Sequence, residues 1–241
     1  MKNIFERTLI ICPHADDELF TFGFLYSKEN HFKKIDLLLI GCNQNRQKEA
    51  IISAKINKLN LINMQSNIVC IDSFYHLNFK KLKKYFSKNL GNYDLVLSPL
   101  IEGGHQDHDT VTAALLKSKE SENFKVKILL YSTYRSMDKI PHLFRCGIPK
   151  GVFNNQKYYY SFTFKSIKSI TKTILYAYKS QYLTWLILLP FLIIAYMLKE
   201  LNYMIIAENL SFDYILGMSP KRPLYQTYRN LKRSTWFGYI Q

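Results

Sequence analysis

Residues 8–18 read Thr-Leu-Ile-Ile-Cys-Pro-His-Ala-Asp-Asp-Glu. The apolar, partly β-branched half, residues 8–12, predicts a short strand, and Pro13 with His14 predicts the turn that ends it. We expect a helix directly afterwards, over about residues 17–28. This strand, turn and helix form the first unit of an α/β pattern, with polar side chains placed at the junction.

The same alternation continues through the first half of the chain. Further strands are predicted at 35–41, 67–72, 93–98 and 126–131, and helices at 46–60, 79–89 and 111–117. The stretch at 35–41 is almost wholly apolar, as in a strand buried on both faces. The pattern therefore predicts an α/β, Rossmann-like and mostly parallel sheet, with core strand order 3-2-1-4-5 and helices on both faces.

The second half of the chain has a different pattern. A stretch punctuated by Pro and Gly over 141–151 predicts a loop, and a strand is expected at 158–164. Helical spacing then continues from 167 to about 209, with a kink expected at Pro190. We expect residues 1–165 to form the core and residues 166–241 to form a C-terminal helical extension of the same domain.

Composition narrows the class of protein. The 241 residues include 48% hydrophobic and 15% aromatic residues, which excludes a disordered tail. Four isolated cysteines, without a C-x-x-C pair, argue against a disulfide scaffold and favour a reducing compartment. No hydrophobic segment of a signal peptide follows the charged start. We therefore expect a cytoplasmic protein, with peripheral contact at the inner face of the membrane as an alternative.

The net charge is +15, from 33 Lys+Arg and 18 Asp+Glu. The basic residues are scattered and match no zinc-finger, RNP or basic-zipper pattern, so no specific nucleic-acid partner is expected. A compositional bias of the source genome explains the surplus as well as a functional partner does. The remaining candidate partners for the positive charge are an anionic lipid surface and a phosphorylated substrate.

One long apolar segment, residues 183–198, follows a lysine-rich stretch. As a helix its 16 residues span roughly 24 Å, short of the ~30 Å hydrocarbon core of a bilayer. Three interpretations stay open: a buried or partner-facing helix, a helix resting in the headgroup layer beside the preceding lysines, and a membrane span.

Two clusters of His and carboxylate side chains follow predicted strands. His14, Asp16, Asp17 and Glu18 follow the first strand, and His105, Asp107 and His108 follow the fourth. In an open parallel sheet with this order, ligands bind at the carboxyl ends of these two strands. Gly103 and Gly104 allow the sharp turn that would bring the second cluster towards the first.

Imidazole nitrogens and carboxylate oxygens are a ligand set for zinc, and a catalytic zinc takes three protein ligands and leaves a position for water. A further carboxylate could serve as general base, and a further His could stabilise an oxyanion, as amide or ester hydrolysis requires. Iron(II) or another divalent ion suits the same donors. The competing interpretation is structural: helix-capping residues and a hydrogen-bonded loop His.

These residues also resemble a known family. Residues 13–18 (Pro-His-Ala-Asp-Asp-Glu) and 105–108 (His-Gln-Asp-His) resemble the P-H-x-D-D-E and H-x-D-H signatures of the LmbE-like (PIG-L) zinc N-deacetylases, which remove acetyl from N-acetylglucosaminyl groups. Residues 46–49 resemble the family's R-x-x-E, residues 180–181 its S-Q, and residues 207–208 also match. The likeness covers about 200 of the 241 residues and departs at position 15, where Ala replaces the usual Pro.

The resemblance implies a role for each matched residue. Zinc would be held by His14, Asp17 and His108, with Asp16 as general base, His105 beside the tetrahedral intermediate and Asp107 orienting His105. Sugar contacts are expected from Arg46 and Asp72, although each could equally be a solvated loop charge.

The implied activity is deacetylation of an N-acetylhexosamine carried on a nucleotide, lipid or glycan precursor, in bacterial surface-polysaccharide biosynthesis. The alternatives are a deacetylase of a small soluble glucosaminyl conjugate and a non-enzymatic basic module that binds membrane or nucleic acid. The sequence leaves the oligomeric state, the sugar and its carrier open.

Overall fold

The computed structural model describes residues 4–41, 43–63, 74–133, 157–199, 202–207 and 211–217. These residues contain one seven-stranded mixed sheet. In chain order its strands are β1 (Phe5–Cys12), β2 (Phe32–Leu39), β3 (Asn60–Asn63), β4 (Leu95–Pro99), β5 (Lys127–Tyr131), β6 (Lys157–Tyr160) and β7 (Asn202–Ile206). Their spatial order is β3-β2-β1-β4-β5-β7-β6. The first four pairings are parallel, and β7 pairs antiparallel with both β5 and β6.

Helices cover both faces of this sheet. They are α1 (Phe22–Ser27), α2 (Gln44–Asn57), α3 (Phe79–Asn89), α4 (Gln106–Glu122), α5 (Phe164–Tyr176), α6 (Tyr182–Met197) and α7 (Phe212–Gly217). Alternate side chains of β1 divide between two cores, as the period of a strand requires. Leu9 and Ile11 pack with α3, α4 and α7, whereas Ile10 and Cys12 pack with α1, α2, α5 and α6.

The predicted α/β class, the 3-2-1-4-5 core and the helices on both faces are confirmed. The strand expected at 67–72 lies outside the described residues, and the third strand of the sheet is β3. The division of the chain at residue 165 stays a prediction.

The helix expected to run to about residue 209 is wrong at its end, because residues 202–206 form β7. Asn-Tyr-Met-Ile-Ile is aromatic and β-branched in part, and it occupies the position between β5 and β6, where its backbone groups find partners on both sides. The helical stretch also breaks earlier than expected. The break lies between α5 and α6, which are bent by 100°, whereas Pro190 lies inside α6.

The apolar segment at 183–198 forms most of α6. One face of this helix is in the core, through Trp185, Leu188 and Leu192, and its opposite face is exposed. Among the described helices, none alone has the length and apolar composition needed to cross a bilayer. The bent pair Phe164–Tyr176 and Lys179–Ile194 meets those criteria only when its two parts are taken together.

Gly23 in α1 lies where this helix packs closely against the edge of the sheet. A Cβ on Gly23 would lie 2.6 Å from Tyr160 and 2.7 Å from Phe162, so these two buried rings would have to shift. We therefore expect Gly23→Ala to destabilise the protein by about 1–2 kcal/mol, although Ala is the better helix former. Thermal unfolding should show a decrease in Tm of roughly 3–6 °C.

Gly91→Ala is the matched control. Its added Cβ would meet Phe124 at 3.4 Å, an ordinary contact distance, so Tm should change little. An equal loss in both variants would contradict the tight packing at Gly23.

Candidate active site

The site lies where β1 and β4 end. The two strands are parallel neighbours, with Thr8 opposite Leu95 and Ile10 opposite Leu97, so their carboxyl ends reach the same edge of the sheet. The residues that follow each strand therefore meet there, as the sequence predicted for this strand order.

The turn after β1 is strained and firmly held. Asp16 has φ of 101°, in the left-handed region that favours glycine, which costs on the order of 1–3 kcal/mol. Glu18 supports this conformation, because its Oε2 accepts the backbone N–H of Asp16 at 3.2 Å. Its Oε1 accepts from the hydroxyls of Ser53 and Tyr178. Burial raises the pKa of Glu18, while these two hydrogen bonds oppose that rise.

The turn after β4 is fixed by its own side chains. Gly103 has φ of 68°, and Asp109 accepts the backbone N–H groups of Glu102 and Gly103 at 3.1 and 3.0 Å. His105 caps α4, because its Nδ1 accepts the backbone N–H of Asp107 at 3.3 Å. Asp107 and His108 thereby lie in the first turn of α4 and are both fully buried.

Three donor atoms from the two turns converge. His14 Nδ1 lies 3.1 Å from His108 Nε2, His108 Nε2 lies 3.2 Å from Asp17 Oδ2, and Asp17 Oδ2 lies 3.6 Å from His14 Nδ1. A tetrahedral zinc with bonds of 2.0–2.1 Å would hold its ligand atoms about 3.3–3.4 Å apart. The spacing and the chemistry of the three donors therefore fit a divalent metal.

The second nitrogen of each of these histidines is also held. His14 Nε2 lies 3.1 Å from Asp107 Oδ2, and His108 Nδ1 lies 3.0 Å from Thr133 Oγ1. Asp107 is itself oriented, because its Oδ1 accepts the backbone N–H of Tyr75 at 3.2 Å. Metal-binding histidines characteristically have such partners, which fix the ring orientation and leave the other nitrogen available for the metal.

His105 lies beside this group and offers a second ligand combination. Ring nitrogens of His14, His105 and His108 lie within 4.8 Å of one another and could also hold a metal ion. The two combinations share His14 and His108 and differ in whether Asp17 or His105 is the third ligand. Asp107 Oδ2 is 3.9 Å from His105 Nδ1, so it lies closer to His14 than to the residue that the resemblance pairs it with.

Asp16 and Asp17 are neighbours in different electrostatic surroundings. Burial raises the pKa of Asp16 to about 7, against the opposing effects of Arg46 and the Trp185 hydrogen bond. Burial also acts to raise the pKa of Asp17, but His108 and His14 outweigh it and hold that pKa far below its ordinary value. Asp17 is therefore suited to bind a cation, and Asp16 to exchange a proton near neutral pH.

Both carboxylate oxygens of Asp16 accept hydrogen bonds. Arg46 Nη2 donates to Oδ1 at 2.6 Å and also to the carbonyl oxygen of Ala15. Trp185 Nε1 donates to Oδ2 at 2.9 Å. The structure thus places Arg46, predicted as a sugar contact, on the side chain of Asp16. Asp72, the other predicted sugar contact, lies outside the described residues.

The R-x-x-E motif at 46–49 and the S-Q motif at 180–181 are also in contact. Glu49 is the last residue of the R-x-x-E motif. Its carboxylate accepts the backbone N–H of Ser180 at 2.8 Å and the Ser180 hydroxyl at 2.7 Å. This pair joins α2, which carries Arg46, to the segment before α6, which carries Trp185. It therefore links the two elements that hold Asp16.

Sequence reasoning missed Trp185, Thr133 and Tyr75. Trp185 stands in an apolar segment that gave no sign of a polar contact. Thr133 stands beside no His or carboxylate in the sequence, and Tyr75 precedes His76, which belongs to neither of the two clusters. Both reach the site only through the fold.

No protein-family model matches the chain, and no curated protein matches it significantly. Solved structures do. N,N'-diacetylchitobiose deacetylase from Pyrococcus horikoshii has a TM-score of 0.56 and 16% identity, covering 86% of this chain and 87% of that one. A deacetylase of the teicoplanin biosynthesis pathway has a TM-score of 0.54 and 16% identity, covering 74% and 86%. The zinc-inhibited form of teicoplanin deacetylase Orf2 has a TM-score of 0.51 and 14% identity, covering 73% and 85%.

These structural neighbours are LmbE-type deacetylases, as the sequence motifs suggested. At this level of identity the chain shares their fold.

The geometry predicts which side chains hold a metal. We expect Asp17→Ala, His14→Ala and His108→Ala to weaken zinc affinity by at least about 100-fold. His105→Ala should retain zinc. Elemental analysis of the dialysed variants, together with calorimetric zinc titration, measures this directly.

Asp107→Asn should have an intermediate effect on zinc affinity, because it removes only the carboxylate that supports His14. We expect the affinity to fall by about 10–100-fold. Zinc retention by Asp17→Ala with loss by His105→Ala would overturn this ligand set in favour of the three histidines.

Proposed function

We propose that this protein is a zinc-dependent N-deacetylase that hydrolyses the acetamide of an N-acetylhexosamine of the GlcNAc type. The observation that carries the proposal is the convergence of His14 Nδ1, Asp17 Oδ2 and His108 Nε2 at metal-ligand spacing, with the Asp16 carboxylate next in the chain. That arrangement supplies a cation site and a proton acceptor side by side. The deacetylases with this fold support the same reaction class.

A zinc ion held by these three residues would act as a Lewis acid on the amide carbonyl and would favour deprotonation of the attacking water. Iron(II) or another divalent ion is an alternative for the same donors.

Asp16 accepts the proton of the attacking water in this proposal. Its hydrogen bonds from Arg46 and Trp185 fix the direction of the carboxylate, so no reorientation is needed when the proton moves. The same proton then passes to the leaving nitrogen when the C–N bond breaks. Acetate and a free amine result: the oxygen of water stays on the acetyl carbon, one of its hydrogens passes through Asp16 to the amine nitrogen, and the other is released when the acetic acid ionises.

His105 stabilises the negative charge that develops on the acetamide oxygen when water attacks. Its Nδ1 accepts the Asp107 backbone N–H, which assigns the proton to Nε2 and makes that nitrogen a donor. The His105 side chain is 20% exposed, so part of its ring is accessible from solvent. A donor aimed at the charge that develops on the carbonyl oxygen contributes typically a few kcal/mol to the rate.

The proposal also includes the group to which the N-acetylhexosamine is attached. We favour a nucleotide-, lipid- or glycan-linked precursor of a bacterial surface polysaccharide, handled in a reducing compartment as the isolated cysteines suggest. A small soluble glucosaminyl conjugate is the second candidate. A basic binding module without catalysis accounts less well for two His and carboxylate clusters that meet at one edge.

The proposal is tested by measuring free-amine release from a panel of nucleotide-linked, polyprenyl-linked and small soluble N-acetylhexosamines. We expect release that stops when a chelator removes the metal and returns when zinc is added. Absence of release from every member, with metal shown to be bound, would contradict the proposed substrate class.

Asp16→Asn separates proton transfer from metal binding. We expect kcat to decrease by about 10²–10⁴-fold, because the amide cannot accept the proton, while zinc content stays near that of the wild type. The surface variant Asp213→Asn makes the same chemical change away from the site and should leave both unchanged. Parallel loss of zinc in Asp16→Asn would show that this residue is a ligand.

Trp185→Phe removes one N–H donor and keeps an aromatic ring in the core. A hydrogen bond to a charged group contributes about 1.5–3 kcal/mol, so we expect kcat to fall roughly 10–100-fold with little change in KM or zinc content. Tyr182→Phe, on the same helix, removes an exposed hydroxyl and serves as the control. An unchanged kcat in Trp185→Phe would show that the Asp16 carboxylate is held well enough by Arg46 alone.

A further inference from the structure

The outer face of α6 is apolar along its whole length. We define this outer face by its exposed residues: Leu183, Leu186, Ile187, Pro190, Ile194, Met197 and Leu198. At 3.6 residues per turn they lie within an arc of about 120°, on the side of the helix opposite Trp185, Leu188 and Leu192. Leu183 is 76% exposed and Met197 is 70% exposed.

Such a face is unusual for a helix on a protein surface. The outward side of a surface helix is ordinarily charged or polar, and contiguous exposed apolar patches mark interaction surfaces. From Tyr182 to Leu198 the sequence has no charged residue at all. The outer face therefore calls for a partner that is apolar over a length of roughly 24 Å.

The surrounding charge identifies the kind of partner. Residues 164–199 contain five lysines and neither Asp nor Glu. Lys179 and Lys199 lie at the two ends of α6, and Lys168 and Lys172 are exposed on α5. Lys165 is also exposed but pairs with Glu29. An apolar strip bounded by lysines matches the acyl boundary and anionic headgroups of a lipid bilayer.

A second copy of the chain fits this surface less well. If two copies met through the outer face with antiparallel helices, Lys179 of each would approach Lys199 of the other. With parallel helices, Lys179 would approach Lys179. Either arrangement brings lysines of the two copies together, and Glu200, directly after Lys199, is the one acidic residue next to either lysine in the sequence.

We propose that the outer face of α6 lies on the surface of an anionic lipid bilayer, with the helix parallel to the membrane plane. The inner face remains packed on the sheet through Trp185, Leu188 and Leu192, so the helix is not surrounded by lipid. The exposed tyrosine Tyr182 and the terminal lysines Lys179 and Lys199 then lie at the level of the headgroups.

This placement has a consequence for the site. Trp185 donates to Asp16 from the inner face, and a helix is about 10 Å across, so Asp16 lies roughly one helix diameter from the outer face. A sugar attached to a membrane lipid would project from the bilayer surface to about the same distance as Asp16. This last step rests on the proposed function, whereas the membrane contact itself does not.

The membrane contact is tested by co-sedimentation of the full chain with vesicles. Vesicles of phosphatidylglycerol and phosphatidylethanolamine are compared with vesicles of phosphatidylcholine alone. We expect the wild type to bind the anionic vesicles at least about tenfold more strongly, and the double variant Leu183→Glu/Ile187→Glu to lose at least about tenfold of that binding.

Ile51→Glu/Ile52→Glu is the matched control. These two residues of α2 are 50% and 43% exposed, close to the 50% of Ile187, and the pair of substitutions adds the same charge. The control should bind like the wild type. Circular dichroism and zinc content establish that both double variants are folded.

Three outcomes would overturn the proposal. Wild-type binding by Leu183→Glu/Ile187→Glu would show that charge alone attracts the protein to lipid. A wild-type dimer in sedimentation velocity that the same variant dissociates, with no vesicle binding, would show that a second copy covers the outer face. Absence of both vesicle binding and dimerisation would leave the face without either partner. Amine release from a soluble substrate is measured in parallel, so a failure of the proposed deacetylation is recognised separately.

Discussion

β1 and β4 leave the sheet at the same edge because they pair in parallel, with Leu9 opposite Val96 between two other paired positions. His14 and Asp17 follow one strand, and His105, Asp107 and His108 follow the other. This pairing brings His14 and His105 together across 91 residues of sequence. The covering helices bury alternate β1 side chains on both faces and so keep the strand from shifting register. The spacing of the donor atoms depends on that register.

Within the site, two adjacent buried carboxyl groups have pKa values shifted in opposite directions. Asp16 faces a guanidinium and an indole N–H, which do not fully offset desolvation, so its pKa is raised. Asp17 faces two imidazoles, which more than offset it, so its pKa is lowered. The left-handed backbone at Asp16 directs the two side chains to these different partners, and the buried Glu18 carboxyl holds that backbone in place. The different partners of the two side chains are thus the physical source of the opposite pKa shifts.

α6 connects the site with the surface. Its inner face supplies a hydrogen bond to Asp16 and packs beside Phe20, while its outer face exposes apolar side chains between two lysines. The link from Glu49 to Ser180 fixes the start of this helix relative to the α2 helix that carries Arg46. A contact on the outer face would therefore act on an element that the Asp16 carboxylate depends on directly.

The amino-acid sequence by itself determined the α/β class, the strand order of the parallel core and the convergence of two His and carboxylate clusters. Those features follow from local apolar periodicity and from the rule that parallel strands end at one edge. It did not determine that residues 202–206 are a strand, because their pairing with β5 and β6 overrides the local helical pattern. Nor did it place Arg46 and Trp185 on Asp16 or Thr133 on His108, since these contacts join residues between 25 and 169 positions apart. Only the tertiary structure decides such contacts, because side-chain direction and burial arise when the elements pack together.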